Sequence, residues 1–208
     1  MHRLAKLISS IGNPLLTIPL LVEFVAIKHG DPQNIPIVTA ITALLFVTAL
    51  LWIFYNFKKG SYSDLDVSKR EQRYSLYLFI IPLVFLTAFF FHLAELPPYS
   101  IKAFLVGGGL MTLSFLSNFM IKSSLHTSLN CYLAGSVFII DKGLGLALFI
   151  LTLAVAWSRI ILKRHTKGEV AMGFLIGFIA IFTLMIVADY EGLPSPIFGL
   201  IYLHPSIS

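Results

Sequence analysis

Residues 35–57 read IPIVTAITALLFVTALLWIFYNF, twenty-three positions without one charged side chain. A helix needs about 20 mostly apolar residues to cross a bilayer, so this stretch predicts a transmembrane helix. It lacks the alternation of apolar and polar residues that a strand of a membrane barrel would carry over about ten positions. The whole chain has the same character. Of its 208 residues 57% are hydrophobic and 12% are charged, with a mean hydropathy of +0.88. A soluble domain carries about 25% charged residues. Fifteen basic and ten acidic side chains are too few to coat one of this length. Disorder requires low hydrophobicity, which this chain does not have. A disulfide scaffold is excluded because Cys131 is the sole cysteine.

Outward from that stretch the pattern repeats. Towards the N-terminus, a polar turn at 28–34 separates it from a span at 7–27 that contains Pro14, Pro19 and Glu23. The basic start, with His2, Arg3 and Lys6, has the look of a signal peptide. The apolar run is too long and too interrupted by proline for that, and no small-residue cleavage site follows, so a retained anchor is expected. Towards the C-terminus come a long polar stretch at 58–73 and spans at 74–96 and 101–121. A polar break at 122–127 leads to a short span at 128–140. After the turn Asp141-Lys142-Gly143 follow spans at 144–162 and 169–188, joined by a basic turn. The tail, 194–208, has three prolines and is expected to lie along the interface. Helices satisfy their own backbone in lipid, so the expectation is one all-α transmembrane bundle over 1–208, of six to seven spans and seven by this count. Gly107-Gly108-Gly109 and the pair Gly173/Gly177 are expected at close helix contacts. Trp52 and Trp157 fit interfacial anchors.

The spans sort the basic residues by side. Lys28, Lys102 and Lys142 lie on one side and the other twelve of the fifteen on the N-terminal side. Lys and Arg collect on the cytoplasmic side, so that face is expected to be cytoplasmic. The net charge of +5 is then a topology signal and an anion site, and no nucleic-acid partner is expected.

Three clusters on the basic side hold more than solubilising charge. Asp66-Val67-Ser68-Lys69-Arg70-Glu71-Gln72-Arg73, read as a helix, would place Asp66, Lys69, Arg70 and Arg73 on one face. Ser123-Ser124-Leu125-His126-Thr127 opens the fifth span. Ser158-Arg159 is followed after five residues by His165 and after three more by Glu169. The clusters follow the second, fourth and sixth spans, so all three fall at the same membrane face. Together they suit phosphoryl transfer. Two or three fixed cations hold a dianionic phosphate and its transition state, and arginine does so in bidentate fashion. The start of the fifth helix adds unpaired N–H donors. His165 and Glu169, at i and i+4, form a carboxylate–imidazole pair that leaves one ring nitrogen to attack phosphorus. His126 would protonate the leaving oxygen. The scheme requires no metal or other cofactor, and the His and acidic residues have no metal-ligand spacing.

These residues also carry a resemblance. Ser158-Arg159-x5-His165-x3-Glu169 resembles the third signature of the type-2 phosphatidic acid phosphatase superfamily, Ser-Arg-x5-His-x3-Asp. Ser123-Ser124-Leu125-His126-Thr127 resembles its second, Pro-Ser-Gly-His. The interval from His126 to Ser158, with two hydrophobic segments, is similar to that of compact bacterial members. The segment 66–73 falls where the first signature, Lys-x6-Arg-Pro, would lie. The resemblance covers about 60–180. It implies that His165 is a nucleophile forming a phosphohistidine, that Glu169 orients it and that His126 is the general acid. It further implies that Arg73 and Arg159 bind phosphate, with Ser124 as a donor. The chain departs from the pattern in four ways. Asp66 stands at the lysine position, with Lys69 as another source of that cation. Tyr74 replaces the proline, Ser123 and Leu125 replace the Pro and Gly, and Glu169 replaces Asp. Asp66 is equally readable as the cap of a helix carrying Lys69 and Arg73.

The expected function is hydrolysis of a lipid phosphate monoester or diphosphate, on a phospholipid or prenyl phosphate, in a bacterial cytoplasmic membrane with the site at the cytoplasmic face. A lipid phosphotransferase using the same intermediate is the near alternative. A catalytically inactive transporter or binding protein for lipid phosphate or another anion is the distant one.

Overall fold

The computed structural model describes residues 1–189, in which there is no strand and eight α-helices occur. They are α1 (His2–Ile11), α2 (Pro14–His29), α3 (Ile35–Lys58), α4 (Arg73–Leu93), α5 (Pro98–Ser117), α6 (Leu125–Ile140), α7 (Lys142–Ile161) and α8 (Lys167–Asp189). Helices α3, α4, α5, α7 and α8 are long and apolar enough to cross a membrane. Large apolar side chains such as Leu51, Ile150 and Phe182 stand exposed on their outer faces. Lipid, not water, suits such a surface, and the chain is an integral membrane protein of helical type. The tail at 194–208 lies outside the described residues.

Three boundaries differ from the sequence reading. The expected first span is broken: α1 and α2 meet at 44°. Gly12 ends α1, Asn13 caps α2 by accepting from the Leu15 N–H, and Pro14 is its first residue. Counted together as one span, the bent pair raises the candidate spans among the described residues from five to six, against the seven of the sequence count. The fifth segment extends from 128 back into the polar break, inside the 123–127 cluster that opens it, beginning at Leu125, and at 16 residues stays short. It survives as a short helix because α2, α5, α7 and α8 surround it. Its buried polar side chains are paired within the protein: Asn130 Nδ2 donates to the Gly12 and His126 carbonyls, at 2.8 and 2.7 Å. The first of these bonds satisfies a carbonyl freed by the α1–α2 break, which lipid could not do. Third, the segment 59–72 is not helical. Asp66, Lys69 and Arg70 therefore share no helix face, and Asp66 caps no helix. Asp64 organises this loop instead, accepting from the backbone N–H of Asp66 and Ser68 and from the Ser68 hydroxyl.

Glycines set the closest helix contacts. A Cβ at Gly173 would lie 2.7 Å from the Ser124 carbonyl oxygen and one at Gly177 2.8 Å from Cys131 Cβ, so α8 reaches α6 only because both side chains are absent. Of the three consecutive glycines, Gly108 is the tight one, against Phe85, while Gly109 has open space beside it.

Candidate functional site

The three polar clusters meet at one end of the bundle, joined by direct contacts. Arg73, the first residue of α4, is 2% exposed. Its Nε donates to the Val67 carbonyl (3.1 Å), its Nη1 to the Ser123 carbonyl (2.8 Å), and its Nη2 lies 3.3 Å from His165 Nε2. One guanidinium thus ties the first cluster to the second and third. Val67 adopts φ 48° with its side chain buried. A β-branched residue is rarely found there, and this strained turn delivers the carbonyl that holds Arg73 Nε.

His165 is placed by the end of α7. Lys163, with φ 55°, takes the left-handed conformation usual just beyond a helix C-cap. The Arg159 carbonyl accepts from the N–H groups of Arg164 and His165. The next helix then opens with a capping box, Thr166-Lys167-Gly168-Glu169. Thr166 Oγ1 accepts from the Glu169 N–H at 3.2 Å and Glu169 Oε2 from the Thr166 N–H at 3.1 Å. The same Oε2 lies 2.9 Å from His165 Nδ1. These contacts fix the tautomer. Arginine only donates, so Nε2 accepts from Arg73; the ring proton is on Nδ1 and Glu169 accepts it. Burial, reinforced by the charges of Arg73, Arg159 and Lys122, pushes the His165 pKa down to about 2. The imidazole is neutral, with its lone pair on Nε2.

Arg159, in the last turn of α7, is fully buried. Its Nη1 donates to Asp66 Oδ2 at 2.9 Å and to Ser9 Oγ of α1 at 2.8 Å. Asp66 Oδ1 lies 4.0 Å from His126 Nε2. Burial raises the Asp66 pKa, but attraction from His126 and Arg159 outweighs it and holds the carboxyl below its ordinary value. Among the described residues, Arg159 Nε and Nη2 and His126 Nε2 are buried atoms without a hydrogen-bond partner. A buried donor left unpaired costs about 1–3 kcal/mol, and two guanidinium donors lie unpaired here together with one imidazole nitrogen.

The remaining expected residues fall in different places. Lys69 is exposed on the loop and makes no ion pair among the described residues. Lys122, which was not singled out for phosphate, is a third cation beside Arg73 and Arg159 in this cup-shaped cluster: its Nζ lies 3.9 Å from Glu169 Oε2 and donates to the Ser68 and Arg164 carbonyls. Ser124 is fully buried as the N-cap of α6, accepting from the Thr127 N–H and hydroxyl. Leu125 packs into the core beside Tyr77, Met111 and Ile176. Ser9 had no signal in the sequence, since its position on α1 depends on the break at Gly12. Asp64 could have been found as the start of a polar turn, and the second role of Glu169, as a helix cap, from the Thr-x-x-Glu spacing of a capping box. No group of three or more His, Cys, Asp or Glu able to hold a metal occurs among the described residues. No family model matches this chain, and neither does any curated protein or any solved structure.

Proposed function

We propose that this protein is a membrane phosphatase that hydrolyses phosphate monoesters or diphosphates of lipids through a phosphohistidine at His165. One observation carries the reading. A neutral, Glu169-oriented imidazole presents its lone pair beside Arg73, next to a buried Arg159 whose Nε and Nη2 have no partner. The resemblance of 158–169 to the third phosphatase signature supports the same chemistry.

In the proposed reaction the phosphate displaces the Asp66 carboxylate from Arg159 and the His165 lone pair from Arg73. The freed guanidinium donors then hold the equatorial oxygens. Nε2 attacks phosphorus, the bond to the leaving oxygen breaks, and His126 supplies that oxygen with a proton. His126 acquires the proton once a dianion cancels the surrounding positive field. Glu169 stabilises the cationic phosphoimidazole through the Nδ1 proton. Water then attacks phosphorus, giving its proton to His126 as the P–N bond breaks, and the enzyme is restored. A lipid is the substrate because the cup lies where the helices end, at headgroup depth. The excess of basic residues on that side supports a cytoplasmic orientation, and the compact interval between His126 and Ser158 supports a bacterial cytoplasmic membrane.

Phosphate release from a panel of lipid phosphates by the purified chain, without added metal, tests this. Release should be inhibited by vanadate, which mimics five-coordinate phosphorus, and abolished in His165→Ala. No release from any of them, with His165→Ala binding lipid phosphate as the wild type does, would leave a binding or transport protein.

A further inference from the structure

Two acceptors on a single nitrogen hold the head of Arg159. Its Nη1 donates to Asp66 Oδ2 at 2.9 Å and to Ser9 Oγ at 2.8 Å, while Nε and Nη2 have no partner. A guanidinium carries five N–H donors in one rigid plane. The two on Nη1 are bonded here, and those on Nε and Nη2 are open to a ligand. The proposed reaction removes one of the two bonds, because the anion takes the place of Asp66. Among the described residues Ser9 is then the one acceptor left to hold the plane.

The two holders differ in how firmly they stand. Asp66 lies on the non-helical loop with its side chain 28% exposed, and can swing clear. Ser9 is fixed by packing. Helix α1 packs on α7. Nearly one turn beyond Ser9, Gly12 meets Val155, about one turn before Arg159: a Cβ at Gly12 would stand 2.1 Å from Val155 Cγ2. The order of these contacts makes α1 and α7 antiparallel neighbours in a defined register. Asn130 Nδ2 holds the Gly12 carbonyl at 2.8 Å and ties the same point to α6. Of the two side chains that α1 buries, Ala5 and Ser9, Ser9 alone is polar. Burying a hydroxyl is unfavourable unless it is hydrogen-bonded, and its bond goes to Arg159. The hydroxyl is also neutral, so it orients the guanidinium without cancelling the charge that an anion needs.

We propose that Ser9 is the positioning residue of Arg159, keeping Nε and Nη2 aimed into the cup while an anion replaces Asp66. Helix α1, outside the stretch 60–180 that carries the phosphatase resemblance, thereby becomes a wall of the site. The proposal rests on the reading of the cup as a site for a tetrahedral dianion and does not require hydrolysis.

Binding of radiolabelled sulfate, a tetrahedral dianion with no ester to hydrolyse, to the detergent-purified full chain tests this by scintillation proximity. Ser9→Ala should weaken sulfate by about tenfold, as expected for one lost hydrogen bond to a charged group. Ser9→Cys keeps the size but offers a weak acceptor, and should behave as Ser9→Ala does. Ser9→Thr keeps the hydroxyl and should stay within about twofold of the wild type. Ala5→Gly loosens the same helix without touching Arg159. It should lower the melting temperature and leave sulfate affinity within about twofold. Unchanged affinity in a folded Ser9→Ala, or an equal loss in Ala5→Gly, would overturn the proposal. A Ser9→Ala that fails to fold passes the decision to Ser9→Cys, and failure of both to fold would make Ser9 a structural residue and overturn it too. A wild type that binds no sulfate would remove the anion site and the role of Ser9 with it. Weaker sulfate binding in Ser9→Ala, in a protein that releases no phosphate from any lipid, keeps Ser9 and discards the phosphatase reading. Phosphate release by the wild type with unchanged sulfate affinity in Ser9→Ala does the reverse.

Discussion

Acid is the perturbation that most directly reads the state of His165. In the folded protein burial and three neighbouring cations push its pKa down to about 2, whereas an unfolded chain would show about 6.5. Below pH 6.5 the unfolded chain therefore binds a proton that the folded protein refuses. Stability from this residue is intact above pH 6.5 and is lost as pH falls towards 2, at about 1.36 kcal/mol per pH unit. Between pH 7.5 and 4.5 the loss reaches about 2.7 kcal/mol. For a chain of this length each kcal/mol moves the melting temperature by about 2–4 °C, so the shift is about 5–11 °C. Other groups titrate in the same range, and His165→Asn isolates the imidazole because it keeps a polar side chain that cannot protonate. Melting in detergent at a series of pH values should show the wild-type advantage over His165→Asn shrinking by about 5–11 °C from pH 7.5 to 4.5. A difference constant within about 2 °C over that range would mean that the folded site accepts the proton. The burial and cation field that are argued to keep Nε2 unprotonated would then not act on the ring.

The other predictions concern the partners of that imidazole, the packing and the orientation. Glu169→Gln keeps the capping box, which accepts Glu or Gln, but replaces a charged by a neutral acceptor for the Nδ1 proton. The rate should fall at least 5–30-fold, from about 1–2 kcal/mol of lost hydrogen-bond strength, while the melting temperature is unchanged; the reverse pattern would make Glu169 only a cap. Asp66→Asn should cost about 1–3 kcal/mol of stability, less than a fully buried pair because the Asp66 side chain is 28% exposed. It should nevertheless tighten vanadate binding, because the carboxylate competes for Arg159; weaker binding would remove that competition from the argument. Gly177→Leu should destabilise by about 1–3 kcal/mol through the clash with Cys131, measurable by denaturant titration in mixed micelles. In intact cells, an impermeant thiol reagent should label Gln33→Cys and spare Ser61→Cys, both exposed, against a silent buried Cys131; labelling of Ser61→Cys would place the cup outside.

The helices were legible because charge-free runs longer than a bilayer is thick have few other fates. The common face of the three clusters was legible for a topological reason: an even number of crossings separates each from the next. What failed was local. The segment 66–73 has helical spacing in its charges, yet Asp64 gathers its backbone N–H groups into a turn and Val67 enters a left-handed conformation. Tertiary demand from Arg73 for the Val67 carbonyl outweighs the spacing. The same cause separates Lys69 from Arg73 in space. Lys69 is nearer to Arg73 in sequence, but the loop leaves it in solvent, while Lys122 comes in from between α5 and α6. Ser9 depends on a helix break and a long-range contact, and neither leaves a local pattern.

Under the proposed function, the departures from the phosphatase signatures become consequences of one electrostatic arrangement. A lysine at 66 would face a buried guanidinium; Asp66 instead neutralises Arg159 until a ligand arrives. Glu169 has the length to close the capping box on Thr166 and still reach Nδ1 at 2.9 Å. Aspartate, one methylene shorter, has less reach for both contacts at once. Leu125 lies at a position where glycine would bring the backbone close to phosphate, and its side chain turns into the core. The result is a cup whose fixed charges nearly balance when empty: Arg73, Arg159 and Lys122 against Asp66 and Glu169. An arriving anion must replace a carboxylate already paired with Arg159. A monoanion exchanges like for like and gains little, whereas a dianion also satisfies the unpartnered Nε and Nη2 and the Arg73 Nη2 now resting on His165. The arrangement therefore discriminates by charge, favouring a phosphate monoester or terminal diphosphate over the diester headgroups of the surrounding bilayer.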